Sequence, residues 1–266
     1  MFKARTRIKQ FACLLLVSML STPVMLGAAE KPKEQILVAA AASLKDVLEE
    51  IGPAFEKKHP ELRVNFQLAA SGALLQQIEQ GAPVDVFISA AEGPMKILAG
   101  KGLVVPNSLK TILSNELVLI IPANQPGPQS LADLKNPAYK RIAIGESRTV
   151  PAGQYAEAWI AHEKLSAALK DRLVPASNVR QVLTFVASGN AAAGFVYASD
   201  ALTSDKVKVA LRARADQHPP IAYPAALVKR STRQPAGQAF LRFLEGPEAR
   251  RIFVKQGFRL PAEKST

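Results

Sequence analysis

The sequence of 266 residues predicts an α/β protein with two lobes, each a mostly parallel β-sheet flanked by helices. Apolar runs with the period of strands alternate along the chain with longer runs of helical period, which is typical of parallel sheets. The number of strands suits two sheets better than one. The sequence shows no tandem repeat of fixed period and no low-complexity linker.

The first strand and helix follow directly from the spacing of apolar residues. The run "ILVAAA" (36–41) is typical of a buried strand, and apolar residues then recur with helical spacing from Leu44 to Phe55. Because proline lacks the backbone N–H and crowds the preceding turn, we expect Gly52-Pro53 to kink or interrupt this helix.

The same alternation continues through the next strands. Apolar and polar residues alternate over 62–68, which is typical of a strand with one face exposed to solvent. A helix follows that begins near Gly72 and stops at Gly81. Pro94 opens another short helix. Two further strands are predicted in this part of the chain, at 84–89 and 116–122.

The second half of the chain adds further strands and helices. "RIAIG" (141–145) is typical of a strand, and "PAGQYAEAWI" (151–160) of a helix with proline in its first turn. "NVRQVLTFVASGN" predicts a helix closed by Gly189, and "GFVYASDA" predicts a strand that runs into a helix or turn. Two more strands and two C-terminal helices, broken at Gly246-Pro247, complete the pattern: "VKVALRA", "IAYPAALVK" and "GQAFLRFLEGPEARRIFVKQGF".

The first 29 residues predict a secretory signal peptide. An apolar core, "FACLLLVSML", is too short to span a bilayer, and "GAAEKP" offers a cleavage site after Ala29. The only cysteine, Cys13, lies in this segment, so we expect a mature chain without disulfides or a cysteine metal site. Basic residues precede the apolar core: Lys3, Arg5, Arg7 and Lys9.

The charge of the chain bears on its partners. Without those four basic residues, Lys and Arg fall from 34 to 30 against 22 Asp and Glu, and the formal net charge falls from +12 to +8. The basic residues are scattered rather than clustered, which argues against nucleic acid as a partner. A mildly positive surface favours small anions, although a generic soluble surface has the same composition.

Several turns from strand to helix carry uncharged donors. Ser43 and Ser71 stand at two such turns, and Ala152 and Val179 lie at the starts of two later helices. In an open α/β sheet, ligands bind outside the carboxyl ends of the strands, where helix N-termini present unsatisfied N–H groups. Such a place binds an anion without a charged side chain. Tyr197 ends an apolar strand at the same sheet edge.

Each of these residues also has a purely structural explanation. Ser43 and Asp46 have the spacing of a capping box, so Ser43 would serve only as a helix cap. Ser71 would likewise be a cap, although Gly72 after it allows the backbone to approach a ligand closely. Tyr197 would be a half-buried core tyrosine.

Residues for catalysis or metal binding are not evident. No two of the three histidines have ligand spacing, and phosphate-loop, dinucleotide and nucleophile-elbow motifs are absent from the sequence. The pair Glu49-Glu50 is interpreted as solvated charges on a helix. We therefore expect a binding protein and no enzyme. The histidines are His59, His162 and His218.

Seven segments of the chain, taken in their order, carry a family resemblance. They are "VAAAASLKDVL", "AASGALLQQIEQGAPVDVFISA", "VPAGQYA", "SNVRQVL", "GFVYASDA", "AYPAALV" and "GPEARRIFVKQGF". In this order they resemble the periplasmic molybdate-binding proteins of ABC importers, over nearly the whole stretch from Lys33 to about Leu260. A single segment is weakly specific, whereas the joint order is strong.

The resemblance implies the two-lobed fold of type 2 periplasmic binding proteins, with the ligand in the cleft between the lobes. We expect domain I at residues 30–114 and 222–266 and domain II at residues 115–221, after the signal peptide at 1–29. Two crossings of the chain would form the hinge, near Ser114–Glu116 and Ile221–Tyr223.

The ligand-binding positions of that family fall on the turn residues described above. The resemblance implies that Ser43 and Ser71 donate through hydroxyl and backbone N–H, Ala152 and Val179 through backbone N–H, and Tyr197 through its hydroxyl. Molybdenum would be present only as the bound oxyanion, with no direct protein ligand and no cofactor. A site built of donors alone suits a fully deprotonated tetrahedral dianion and rejects an anion whose proton needs an acceptor.

The implied function is the capture of molybdate, and of tungstate too, by an exported, monomeric periplasmic protein that delivers it to an ABC permease at the inner membrane. The same fold binding sulfate, thiosulfate or another oxyanion is the nearest alternative. A dehydratase-type enzyme is disfavoured by the signal peptide, and a transcription regulator by the lack of a preceding helix-turn-helix. Hydroxymethylbilane synthase is excluded because it needs a cysteine for its cofactor.

One segment departs from the family pattern. Glu146-Ser147-Arg148 stands where the family often has an aspartate-proline pair. Arg148 at the cleft mouth would attract anions, whereas a solvated arginine would have no role in binding.

Overall fold

The computed structural model of the protein describes residues 33–261. The predicted signal peptide and Cys13 lie outside the described residues. Among residues 33–261, no helix combines the length and the apolar character needed to cross a membrane.

The described chain contains two sheets of five strands each. In chain order the strands are β1 (Glu34–Ala41), β2 (Leu62–Ala69), β3 (Val86–Ile88), β4 (Lys110–Ser114), β5 (Leu117–Pro122), β6 (Ile142–Gly145), β7 (Leu173–Ala176), β8 (Ala193–Tyr197), β9 (Val207–Arg212) and β10 (Ala222–Leu227).

Helices flank both sheets. In chain order they are α1 (Lys45–Lys58), α2 (Ser71–Glu79), α3 (Glu92–Gly100), α4 (Pro151–His162), α5 (Ser166–Leu169), α6 (Val179–Ala187), α7 (Ala198–Ala201), α8 (Gln234–Glu245) and α9 (Pro247–Lys255). Short 3-10 turns join some of these elements, and one of them, Ala42–Leu44, lies between β1 and α1.

The sheets have the same plan and confirm the predicted two-lobed α/β class. The first lobe is built on the order β2-β1-β3-β10-β4, and the second on β7-β6-β8-β5-β9. In each sheet two pairings are parallel and two are antiparallel, so the sheets are mixed rather than mostly parallel as predicted. The parallel part of each sheet is followed by helices that begin at its carboxyl edge.

Helix α1 differs from the prediction at Pro53. The helix runs without a break through this residue. Pro53 is exposed, as is Glu49 one turn earlier, so the carbonyl that loses its N–H partner can be solvated. Gly52 lies on the opposite, buried side, where a Cβ atom would come within 3.0 Å of the Phe66 ring. Close packing against β2 therefore holds the helix together across the proline.

The chain passes between the sheets twice, and the two passages are adjacent. The first connects β4 to β5 and the second connects β9 to β10. Ser114 at the end of β4 pairs with Ala222 at the start of β10. The strands of the first sheet thus come from residues 34–114 and 222–227, and those of the second from 117–212. The exact domain limits at 114/115 and 221/222 stay a prediction.

Candidate functional site

All five residues predicted to bind the ligand line one small cavity between the two lobes. Ser43 and Ser71 follow β1 and β2 of the first lobe, and Ala152, Val179 and Tyr197 come from the second. Each is at most 4% exposed. The remaining lining residues are Ala41, Ala42, Ala69, Ala70, Ala90, Val150, Pro151 and Asn178.

The size of the cavity limits what it can hold. Its volume is about 10 Å³, measured as the space open to the centre of a water-sized sphere. Pockets for drug-sized organic ligands are roughly 300–1,000 Å³. The cavity therefore suits a small ion better than an organic molecule.

Backbone donors face this cavity from helix starts in both lobes. Helices α2, α4 and α6 begin at or beside it, and the first N–H groups of a helix have no partner within the helix. Within residues 33–261, no oxygen accepts a hydrogen bond from the N–H of Ser71, Ala152 or Val179. None of the lining side chains is charged. Among the lining residues, attraction for an anion therefore comes from the positive ends of the helix dipoles and from uncharged hydroxyl groups.

The Ser71 hydroxyl is arranged as a donor. Its oxygen accepts a hydrogen bond from the backbone N–H of Ala90 at 3.0 Å. A hydroxyl that accepts on one side has its own proton available for another acceptor. Ser71 is fully buried, and the cavity is the space that remains for that proton.

The Ser43 side chain contacts the first lobe's Tyr223 instead of capping a helix. Its oxygen lies 3.0 Å from the Tyr223 hydroxyl. The capping box with Asp46 that the sequence suggests is not formed, because Ser43 sits inside the 3-10 turn Ala42–Leu44 and makes no cap hydrogen bond. The alternative interpretation, in which Ser43 serves only as a helix cap, is therefore wrong.

Tyr197 is both a core residue and a cavity residue. Its ring is 1% exposed and packs edge-on against Tyr155 and Tyr223. Its hydroxyl lies 3.5 Å from the carbonyl oxygen of Ala90. Because a carbonyl oxygen only accepts hydrogen bonds, the hydroxyl is the donor in this contact. Burial raises the pKa of Tyr197 well above its ordinary value, and the neighbouring Tyr223 adds to the shift. The hydroxyl therefore keeps its proton.

An arginine next to the cavity joins the two lobes. Arg180 follows Val179, and its Nη2 lies 2.5 Å from Oδ2 of Asp46 on α1 of the first lobe. Its Nε lies 2.7 Å from Oδ1 of Asp200 on α7 of the second lobe. Nη2 also donates to the carbonyl oxygen of Ser43 at 3.2 Å. The sequence analysis missed this cluster, since Arg180 looks like any helix-surface arginine until Asp46 and Asp200 are placed beside it.

Within that cluster, burial opposes the ionisation of the Asp200 carboxyl. Burial raises the pKa of Asp200 to about 6, while Arg180 and the N–H of Tyr197 act in the opposite direction. The carboxyl is fully buried. Its negative charge is held in place mainly by the guanidinium beside it.

A second contact between the lobes was also missed. The N–H of Gly72, at the start of α2, donates to the carbonyl of Thr149 in the second lobe at 2.9 Å. A Cβ atom on Gly72 would lie 2.7 Å from Cα of Thr149. The glycine that follows Ser71 thus lets the lobes meet at backbone distance, which the sequence analysis had ascribed to a ligand.

Other residues considered from sequence lie away from the cavity. The Arg148 side chain is 84% exposed and pairs with Glu146, so it is a solvated arginine. Glu50 bonds Lys255 on the surface, and the three histidines contact surface groups. Within the described residues, no group of three or more His, Cys, Asp or Glu could hold a metal. A larger open groove lies elsewhere in the second lobe, and its lining, which includes Pro122, Tyr139 and Lys206, contains none of the five predicted residues.

Residues 36–259 match the family of bacterial extracellular solute-binding proteins. The chain belongs to this family.

Similar solute-binding proteins include two with an assigned ligand. The molybdate-binding protein ModA of Haemophilus influenzae (strain ATCC 51907 / DSM 11121 / KW20 / Rd) is 35% identical over 239 residues, which are 88% of this chain and 93% of the relative. ModA of Escherichia coli (strain K12) is 36% identical over 241 residues, 88% of this chain and 92% of the relative. Both relatives are named for binding and not for catalysis.

A solved structure agrees with this placement. The periplasmic molybdate-binding protein of Azotobacter vinelandii superimposes with a TM-score of 0.77 at 26% identity, covering 85% of this chain and 99% of that one. The two-lobed architecture of this solute-binding protein is therefore that of a periplasmic binding protein.

Proposed function

We propose that this protein captures molybdate, and tungstate as well, in the cavity between its lobes and delivers it to an ABC permease at the inner membrane. The relatives in Haemophilus influenzae and Escherichia coli and the Azotobacter vinelandii structure are all named for molybdate. The observation that carries the proposal is the cavity itself, in which uncharged donors from both lobes converge.

The chemistry of the cavity favours a dianion without a proton. The candidate donors are the hydroxyls of Ser43 and Ser71 and the N–H groups at Ala152 and Val179. The Tyr197 hydroxyl joins them if the anion replaces the carbonyl of Ala90 as its acceptor. A tetrahedral dianion that has lost all its protons presents only acceptors to such a set. An anion that retains a proton buries a donor without an acceptor, which costs about 1–3 kcal/mol.

The binding step is a closure of two lobes. Both lobes contribute donors, so a single anion satisfies them only when the lobes are together. The adjacent passages at Ser114–Glu116 and Ile221–Tyr223 would act as the hinge. The closed form is what the permease would recognise.

The remaining parts of the proposal follow from this role. The protein would act as a monomer in the periplasm after removal of residues 1–29, without a cofactor and without catalysis. Molybdenum would enter only as the oxyanion, held through its oxygens.

Titration calorimetry of the purified chain tests the proposal. The protein is stripped of ligand by unfolding and refolding, then titrated with molybdate, tungstate, sulfate and phosphate. The expected result is tight binding of the first two and binding of phosphate that is weaker by about tenfold or more. Because sulfate also lacks a proton, its rejection has to come from cavity size.

Two other results would change the proposal in different ways. Preferential binding of sulfate would keep the donors and the cavity but replace the ligand by a smaller oxyanion. Binding of none of the four anions would show that the helix starts at the cavity serve only the fold.

A further inference from the structure

The Tyr223 hydroxyl has two partners in the described part of the chain. It lies 3.0 Å from Oγ of Ser43 and accepts a hydrogen bond from Nδ2 of Asn115 at 3.3 Å. All three side chains are buried. The hydroxyl therefore lies between the predicted ligand site and the first passage of the chain between the lobes.

The orientation of the Asn115 amide is fixed by its other bonds. Its Oδ1 accepts from the backbone N–H of Glu116 at 2.9 Å, and its Nδ2 also donates to Oγ of Ser199 at 2.8 Å. The nitrogen must therefore be the atom that faces Tyr223. An amide nitrogen donates and does not accept, so Tyr223 cannot give its proton to Asn115.

The direction of the next hydrogen bond follows. Within residues 33–261, the only other partner of the Tyr223 hydroxyl is Ser43. Burial raises the pKa of Tyr223 far above its ordinary value, so the proton stays on the hydroxyl. Tyr223 then donates to Ser43, and the proton of Ser43 is left for a group in the cavity.

We propose that Tyr223 and Asn115 are positioning residues that hold Ser43 as a hydrogen-bond donor and thereby make the site reject oxyanions that carry a proton. This inference rests on the proposed function and extends it to two residues outside the cavity lining. The chain of hydrogen bonds runs in one direction, from the Asn115 amide through Tyr223 to Ser43 and the anion. Ser71 needs no such chain, because the N–H of Ala90 already fixes its direction.

Two substitutions change this chain of hydrogen bonds in different ways. Tyr223→Phe removes the donor to Ser43 and keeps the ring contacts with Tyr197 and Phe258. Ser43 can then turn and accept. Asn115→Asp replaces the amide by an acceptor of the same shape, which takes the proton of Tyr223. Ser43 then has to donate to Tyr223 and presents a lone pair to the cavity.

The measurement is the ratio of affinities for molybdate and for two dianions that carry a proton, hydrogen phosphate and hydrogen arsenate. We expect the ratio to fall by about tenfold in Tyr223→Phe and by more in Asn115→Asp. A ratio is used because the added carboxylate repels all three dianions alike. A merely structural role would weaken all anions together and leave the ratio unchanged.

Matched controls separate this effect from general damage. Tyr139→Phe and Asn124→Asp make the same chemical changes outside the cavity, and they should keep the wild-type ratio. Thermal unfolding of each variant shows whether it is folded during the titration.

The wild-type protein distinguishes the two possible failures. If it binds none of the oxyanions, the proposed function is wrong and this inference falls with it. If it binds molybdate as proposed while both variants keep the wild-type ratio, Tyr223 and Asn115 do not set the direction and this inference alone is overturned.

Discussion

At the scale of single residues, the direction of each hydroxyl matters more than its presence. A serine whose oxygen already accepts a hydrogen bond is held with its proton available for a further acceptor, such as an anion. The Ser71 oxygen accepts a hydrogen bond from the N–H of Ala90, and the Ser43 oxygen contacts the hydroxyl of Tyr223. The two serines look equivalent in sequence but depend on different supports.

The substitution Ser71→Ala tests the first of these supports. It would remove the proposed hydrogen bond from Ser71 to the anion, so molybdate affinity should fall by about 10- to 100-fold. It also leaves the buried N–H of Ala90 without its acceptor, at a cost of about 1 kcal/mol or more in the free energy of unfolding. Calorimetry and urea unfolding measure the two effects.

Ser177→Ala is the control, since Ser177 is exposed and outside the cavity lining. Equal affinity of Ser71→Ala and the control would remove Ser71 from the site.

The five cavity residues were selected from the sequence through the family resemblance, whose positions coincide with turns where strands end and helices begin. The sequence could not show what supports them. The partner of Ser43 is Tyr223, 180 residues away, and local spacing pointed to Asp46 instead. Side-chain partners that are distant in the chain depend on the packing of both lobes, which no local pattern contains.

At the scale of elements, the start of α4 is held by contact between two glycines. A Cβ atom on Gly153 would lie 2.0 Å from the carbonyl oxygen of Gly145 at the end of β6. The helix that carries Ala152 can approach β6 this closely only because a side chain is missing. The position of the Ala152 N–H therefore depends on the residue after it.

The substitution Gly153→Ala should push the start of α4 away from β6. We expect a loss of about 1–3 kcal/mol in the free energy of unfolding and a weaker affinity for molybdate. Gly93→Ala, on α3 with no atom within 4 Å of the added methyl, is the control. If urea unfolding gave the same stability for both variants, the close contact would have no energetic importance.

Elements with strong periodicity were predicted well, and those without it were not. β4 and β7 were missed, and the reason for β7 is visible. It contains Pro175, which argues against a central strand, but β7 is at the edge of its sheet, where a missing N–H is tolerated. The antiparallel pairings of β10 and β5 were missed because strand direction within a sheet is decided by how the chain crosses between lobes.

At the scale of the whole molecule, Gly72 controls how closely the lobes meet. Its N–H bonds the carbonyl of Thr149, and an added Cβ would lie 2.8 Å from that oxygen. The three atoms nearest to that added Cβ all belong to Thr149 of the second lobe. The steric conflict exists only when the two lobes are together.

The substitution Gly72→Ala should therefore impair closure more than folding. We expect molybdate affinity to fall by at least about tenfold, with a change below about 1 kcal/mol in the free energy of unfolding without ligand. Small-angle scattering with saturating molybdate should show less compaction than in the wild type. Gly100→Ala, with no neighbour within 4 Å, is the control, and wild-type affinity in Gly72→Ala would argue against this role of the contact.

The deep burial of the five cavity residues affects how long an ion stays bound as well as how tightly it binds. Because these residues are each at most 4% exposed, an ion bound among them should escape slowly until the lobes part. Its residence then depends on contacts that never touch it, such as Arg180 with Asp46 and Gly72 with Thr149. A membrane partner that pulled those contacts apart would empty the carrier without competing for a single donor around the ion.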